Sequence, residues 1–577
     1  MLGARATRCL EIGVLLLVSL FCRPTWAEQE MISVRHPVDI LGVSARIHYW
    51  YPTECDVVVW LHNNSEAPVG LKGVWLDTLC VPVLGRVNEP VESGVSKELE
   101  FADPSPLSGQ EPLLPMRPLI QAKVPCPQVF AFMRPLKVPP KGDAELTVRT
   151  VACDPSKDLP TQVSIVMDTG EKVSYAIPAR QEYLRISKMY VLPSTATLWV
   201  CLHNECSTAI TIKEAWTGGK PAMTQTPCLP LVIPAKEKRF VAIRGSEVRE
   251  GDYTMVAFKT SPDGYKVWAV ARLGQHYFPV LMEDDQTCLD MVDGTTRYPL
   301  TRGLECPTHC CPTYFDAANK IMLAQYEAAE RGLDRITYIH TCRSSIVSGL
   351  GCFSLMADIV RFNVFTMRLP NSEKSQFRSS MQWLAYVGKV QNEPCPVHAI
   401  IDSAGFIPHP DRETLRDAVF EVLSMGVSGI VYRGDFEDEV IRKVDLELGA
   451  LRPFLILAEP VDFIREAPVK AGVDIRAMLL ADYGVLLFVF PKEKKGEPDM
   501  LVDALDLSGC SWLHLSTGFY IGMDGKAMPL SLELTETGLI RLTGLNQVPV
   551  AAILLNDRGV DYLRSSCVGV PSRSEGK

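Results

Sequence analysis

The chain has 577 residues, of which 47% are hydrophobic and 22% charged, with a formal net charge of -10. This is a globular composition, long enough for about three to five domains of roughly 100–200 residues. The acidic balance excludes a nucleic-acid partner from the expectations, because no basic stripe is present to match phosphates.

Residues 1–27 read as a secretory signal peptide. Arg5 and Arg8 give the positive start, residues 12–21 the short apolar core, and Ala27 a cleavage point. No later stretch reaches about 18 uninterrupted apolar residues, so no transmembrane anchor is expected. The expected location is extracytoplasmic, secreted or periplasmic, where the 18 cysteines are compatible with disulfides.

Residues 28–155 and 156–275 read as two β-sandwich domains. Alternating apolar runs such as Val57-Val58-Val59-Trp60 are broken by Pro, Gly and Asn. Leu61-His62-Asn63 recurs as Leu202-His203-Asn204 and Trp75 as Trp216, both at an offset of 141 residues, which points to duplicated domains. The repeated histidines are either a repeated ligand site or strand-end turns in which His-Asn caps a hairpin.

Residues 276–457 read as an α/β domain. Its start is acidic: Glu283, Asp284, Asp285, Asp290 and Asp293 form either a metal-binding or general-acid cluster or a solvated loop. Cys306, His309, Cys310 and Cys311 follow within CPTHCC, with His340 and Cys342 at the end of a predicted strand. Thiolate and imidazole are the ligands of a tetrahedral zinc site. In an exported chain the same residues also serve disulfides, or a Cys-His nucleophile pair. Helices are predicted over 315–331, 376–390 and 439–455, and strands over 336–340, 358–365, 397–401 and 429–432. The stretch 396–434 carries a strand, a helix begun at Pro410 and closed at Gly426, and a second strand. Such a unit implies parallel pairing through a right-handed crossover. Functional groups in such sheets gather at the carboxyl ends of the strands. There stand His340, Asp402, Tyr432, Arg433, Asp435 and Glu437, with Arg343 close behind His340; Tyr432, Arg433, Asp435 and Glu437 read either as ligand contacts or as a solvated loop. Asp402 is either ligand-facing or structural, capping the following loop or pairing with Arg343 or Arg433. Asp358 begins its strand and reads as structural.

Residues 458–566 return to β and read as a C-terminal β-sandwich, with hairpin turns at 482–484 and 535–537. Residues 567–577 read as a disordered tail.

Four stretches, ADIVRFNVF (357–365), PVHAIIDSAG (396–405), HPDRETLRDAVFEVLSMGVSGIVYRG (409–434) and DEVIRKVDLELGALRPFL (438–455), resemble the second half of a secreted glycoside-hydrolase-like (β/α)8 barrel. The resemblance implies Ig-like sandwiches before an abbreviated barrel, a carbohydrate ligand and no cofactor. Hydrolases of this kind use two carboxylates, one to protonate the leaving oxygen and one to attack or to activate water. By resemblance the seventh-strand carboxylate falls on Asp402, where a retaining enzyme carries Glu. Its partner would be an upstream acid, Glu305 or Asp285. Three readings follow: a hydrolase or degenerate hydrolase, a non-catalytic scaffold that binds carbohydrate or protein, and a metal-dependent hydrolase using the Cys/His cluster.

Overall fold

The computed structural model describes residues 37–47, 55–85, 97–99, 124–126, 129–150, 160–178, 184–192, 197–244, 253–261, 266–272, 278–283, 288–290, 297–298, 314–331, 338–341, 356–364, 395–406, 410–461, 465–466, 473–491, 502–506, 512–534, 540–543 and 550–565. Multidomain and mostly β, it opens with two copies of one architecture.

In the first copy, Val38–Ile47, Cys55–Asn63, Asp143–Thr150 and Val129–Arg134 form one antiparallel sheet in that order. Lys172–Ala176, Gln162–Met167, Leu71–Leu76 and Leu79–Val81 form the second. The sheets share a core in which Val57, Val59 and Leu61 of one meet Val74, Ile165 and Met167 of the other. The second copy repeats the order with Leu184–Leu192, Thr197–Asn204, Lys238–Arg244 and Thr224–Thr226, facing Lys266–Arg272, Tyr253–Ser261, Ile210–Thr217 and Lys220–Pro221. A register shift falls between Leu71 and Gly73 in one copy and between Ile212 and Glu214 in the other, at the same repeat offset. The predicted boundary at 155 is corrected here. The strands at 162–167 and 172–176 pair with Leu71–Leu76 and complete the first sandwich. That pairing is long-range, so sequence order alone hides it.

The repeated Asn explains itself as a strand-end strap. Asn63 Nδ2 donates to the carbonyls of Ala67 at 2.7 Å and Val138 at 3.1 Å, while its Oδ1 accepts from the Ser65 amide at 2.8 Å. Asn204 repeats this with the Thr208 and Ile233 carbonyls at 2.8 and 3.0 Å and the Cys206 amide at 2.9 Å. Both side chains are fully buried, so their bonds satisfy backbone groups that water cannot reach. His62 Nδ1 lies 2.9 Å from Asp143 Oδ1, and His203 Nδ1 lies 3.7 Å from Glu205 Oε1.

The sandwiches meet through Val58 and Trp60 of the first and Met255, Ala257, Trp268 and Val270 of the second. The opposite side of the second packs on the C-terminal domain, where Trp199 sets its ring edge-on to Tyr483 at 5.5 Å.

The α/β part is one seven-stranded sheet in the order Arg297–Tyr298, Cys288–Asp290, Val280–Glu283, Gly429–Arg433, Val397–Asp402, Ile359–Asn363, Tyr338–Thr341. The last five are mutually parallel. The first of these in sequence, Val280–Glu283, thus stands beside the last, Gly429–Arg433, which is the neighbour relation that closing a barrel requires. No closed ring is present among the described residues.

Helices Arg412–Leu423 and Asp438–Leu455 cover one face of the sheet, burying Leu415, Val419, Ile441, Val444 and Leu448. Asp411, not Pro410, starts the first helix: its side chain accepts from the Thr414 amide at 2.8 Å as the N-cap. Gly426 follows the helix at a φ of 84°, conformational space that glycine enters at no cost. The predicted helix at 376–390 lies outside the described residues. The helix Tyr314–Glu330 leans on the first sandwich, where the Gly85 amide donates to Asn319 Oδ1 at 2.8 Å.

The C-terminal region forms one nine-stranded antiparallel sheet rather than two separate ones. Ala527–Leu534 is shared. Its first half pairs with Thr517–Ile521 and its second half with Ile540–Thr543, so the sheet turns a corner within one strand. A helix at Asp557–Ser565 ends the described chain, where the sequence reading expected none. The 567–577 segment lies outside the described residues. Among those residues Cys80, Cys201, Cys206, Cys228 and Cys395 are free thiols, so the disulfides expected of an exported chain are not found there. No helix among them is long and apolar enough to cross a membrane.

Candidate functional site

In a parallel ladder, residues paired in register point to the same face of the sheet. The face turned away from the two helices therefore carries three rows. Arg361, His398 and Gly429 are neighbours in the first, with His340 as the backbone partner of Arg361. Asn363, Ile400, Val431 and Leu281 make the second. Asp402 and Arg433 make the third, at the carboxyl ends.

The lowest row is polar and buried. Arg361 has no exposed surface and His398 keeps 4%. Burial, with the Arg361 charge second, lowers the His398 pKa to about 3, so its ring is neutral at ordinary pH. Its Nδ1 finds no hydrogen-bond partner among the described residues. The ring lies over Gly429, where an added Cβ would stand 2.8 Å from His398 Cδ2. Leu281, Ile400 and Val431 form an apolar layer above this row, between the imidazole and the rim.

At the rim Asp402 ends its strand and caps the 3-10 turn Ser403–Gly405, its Oδ1 accepting from the Ala404 amide at 2.9 Å. Its Oδ2 takes no hydrogen bond among the described residues. Gly434, at a φ of 85°, brings the next loop against the Ser403 hydroxyl, and a Cβ there would lie 3.6 Å from Asp402 Oδ1. Behind the loops Phe406 meets Phe436 edge-on at 6.2 Å. Asp435 and Glu437 are exposed beyond Arg433.

The other candidates fall elsewhere. Tyr432 belongs to the opposite face and has no exposed surface. Its hydroxyl donates to Asp445 Oδ1 at 3.3 Å, and burial raises the phenol well above its usual pKa. The structure thus sets Tyr432 in the core against the last helix, one residue out of phase with the rim. Asp358 stands at the amino-terminal rim and accepts from the Tyr253 hydroxyl at 3.3 Å and Arg272 Nη1 at 3.4 Å, tying the sheet to the second sandwich. Asp285, Glu305, Arg343, Cys306, His309, Cys310, Cys311 and Cys342 lie outside the described residues, and His340 is described only as backbone. Among the described residues no group of three or more His, Cys, Asp or Glu side chains is placed to hold a metal ion.

Sequence reasoning passed over Arg361, Asn363 and His398. The signal was there as a period of two: Arg361 and Asn363 in IVRFN, and His398 and Asp402 in VHAIID, interrupt otherwise apolar strands on one face.

No protein-family model matches the chain. No curated protein matches it. Among solved structures, a GH2 β-galacturonidase from Eisenbergiella tayi is similar at 10% identity, covering 66% of this chain and 81% of its own, with a TM-score of 0.19. A β-D-mannosidase from Dictyoglomus thermophilum is similar at 7% identity, covering 74% of each chain, with a TM-score of 0.22. The Pseudomonas aeruginosa CupB2 chaperone is similar at 14% identity over 41% of this chain and 100% of its own, with a TM-score of 0.12.

Proposed function

We propose that this protein is an exported carbohydrate-binding protein on a glycoside-hydrolase-like frame. In this reading two Ig-like sandwiches and the C-terminal sheet support an incomplete (β/α) barrel. The glycan lies across the carboxyl ends of Ile359–Asn363, Val397–Asp402 and Gly429–Arg433. The signal-like residues 1–27 support export, and the four barrel-like stretches support the frame.

The observation that carries the reading is the rim pair. Asp402 and Arg433 are register partners above an apolar layer, and Asp402 offers Oδ2 as an acceptor while its Oδ1 is held by the Ala404 amide. An acceptor and a donor side by side at the end of a parallel sheet suit the vicinal hydroxyls of a sugar, and a few convergent polar groups over apolar walls make a small-ligand site. Hydrolysis would demand a second carboxylate about 5–10 Å from Asp402. In this reading the frame is that of a degenerate hydrolase, and it binds glycan without turnover.

The test is a glycan array run beside a panel of chromogenic glycosides, on wild type and Asp402→Ala. Binding without turnover, lost in the variant, is the expected result. Turnover lost in the variant would make the protein a hydrolase, and no glycan bound at all would overturn the carbohydrate reading.

A further inference from the structure

The duplication exposes on one copy a face that the other copy uses as an interface. In the second sandwich Trp216, Ala257 and Trp268 are register neighbours, as are Glu214, Lys259 and Lys266. That face meets the first sandwich. The Lys266 ammonium lies 5.1 Å from the Trp216 ring centre and 5.5 Å from that of Trp60, so it sits between one indole of its own sheet and one of the neighbouring domain. Trp60 also packs on Trp268 at 6.1 Å.

The first sandwich holds the equivalent positions. Trp75, Ser164 and Ser174 form one row and Gly73, Val166 and Lys172 the other. Trp75 matches Trp216 and Lys172 matches Lys266, with the ammonium 5.8 Å from the ring centre. Two differences set this copy apart. The indole lies back over Gly73, where a Cβ would come within 2.8 Å of the ring, so the ring is held flat against its strand. Ser174, bonded to Ser164 through the hydroxyls at 2.7 Å, stands where the other copy has Trp268, and leaves a step instead of a ring. Lys172 and Ser174 are exposed and Trp75 is half-buried. Among the described residues Lys172 has one indole where Lys266 has two.

We propose that this outward face of the first sandwich docks a partner protein that presents an aromatic ring from a β-sheet surface. The ring would take the place that Trp60 takes over Lys266 and settle on the Ser164–Ser174 step. A desolvated ammonium between two rings is worth more than one over a single exposed ring, and aromatic anchors dominate protein interfaces. The inference does not depend on carbohydrate binding at the strand rim.

The probe is a synthetic β-hairpin displaying tryptophans on one face, with its alanine counterpart as control, titrated calorimetrically into the full chain. Saturable binding of the tryptophan hairpin alone is expected, weakened at least tenfold by Lys172→Glu and by Trp75→Ala. Lys172 is exposed, so its variant keeps the fold if replacement of Trp75 disturbs it. No binding, or equal binding to Lys172→Glu, overturns the proposal. A glycan whose binding is abolished by Trp75→Ala and untouched by Asp402→Ala would overturn it too, by assigning the face to sugar.

Discussion

Arg416 and Glu447 form a two-pronged ion pair between the helices behind the parallel sheet, Nε to Oε2 at 2.6 Å and Nη2 to Oε1 at 2.7 Å, with side-chain exposures of 1% and 0%. Burial pushes the Glu447 carboxyl up in pKa, and the Arg416 guanidinium works against it. Breaking such a pair leaves a charge in the core, at a cost of about 3–5 kcal/mol, whereas an apolar pair of similar volume is often neutral. Arg416→Met is expected to lower the denaturation midpoint strongly, and Arg416→Met with Glu447→Leu to restore most of it. Chemical denaturation of the three proteins checks both halves.

Gly429 is required by its neighbours rather than by its backbone. An alanine there would place Cβ 2.7 Å from Pro279 Cγ and 2.8 Å from His398 Cδ2. Overpacking of this kind costs about 1–3 kcal/mol. Gly429→Ala is expected to fall in that range, and His398→Ala in the same chain to recover part of the loss, with Pro279 retaining the rest. A double-mutant cycle measures the recovery.

His398 gives the fold a pH dependence with a definite sign. Its pKa is about 3 when folded, below the usual 6.5. Above about pH 6.5 both states are neutral and stability is full. As pH falls from there toward 3 the unfolded chain takes up a proton that the folded one refuses, so stability is lost at up to about 1.4 kcal/mol per pH unit. Stability measured at several values between pH 7 and 4 should fall less steeply in His398→Asn than in wild type. Parallel curves would remove His398 from the account.

What the sequence disclosed follows the range of the interactions involved. The strand-helix-strand unit around 397–433 is local, and apolar period and capping residues marked it. The duplication was legible because Leu-His-Asn and Trp recur at one offset, and the burial of Asn63 and Asn204 explains why that motif persists. Pairing between Val280–Glu283 and Gly429–Arg433 joins segments far apart in the chain, and no local pattern encodes it. The same holds for the first sandwich, whose last two strands were assigned to the second. Asp557–Ser565 escaped notice because Gly559 breaks its helical pattern. That glycine is present for closeness: a Cβ there would stand 2.6 Å from the Tyr483 carbonyl oxygen. Tyr432 was placed at the rim by its position in the chain, but alternation turns it inward to Asp445. Asp402, one step out of that phase, reaches the rim.

In the proposed binding mode Asp402 and Arg433 hold a sugar at the strand ends. The most direct measurement is calorimetric titration of an array-positive oligosaccharide into wild type and Asp402→Asn. Asparagine keeps an oxygen for the Ala404 amide and removes the charge. A Kd at least tenfold weaker in the variant is expected, with the thermal midpoint nearly unchanged. Equal affinity in the two proteins would contradict it.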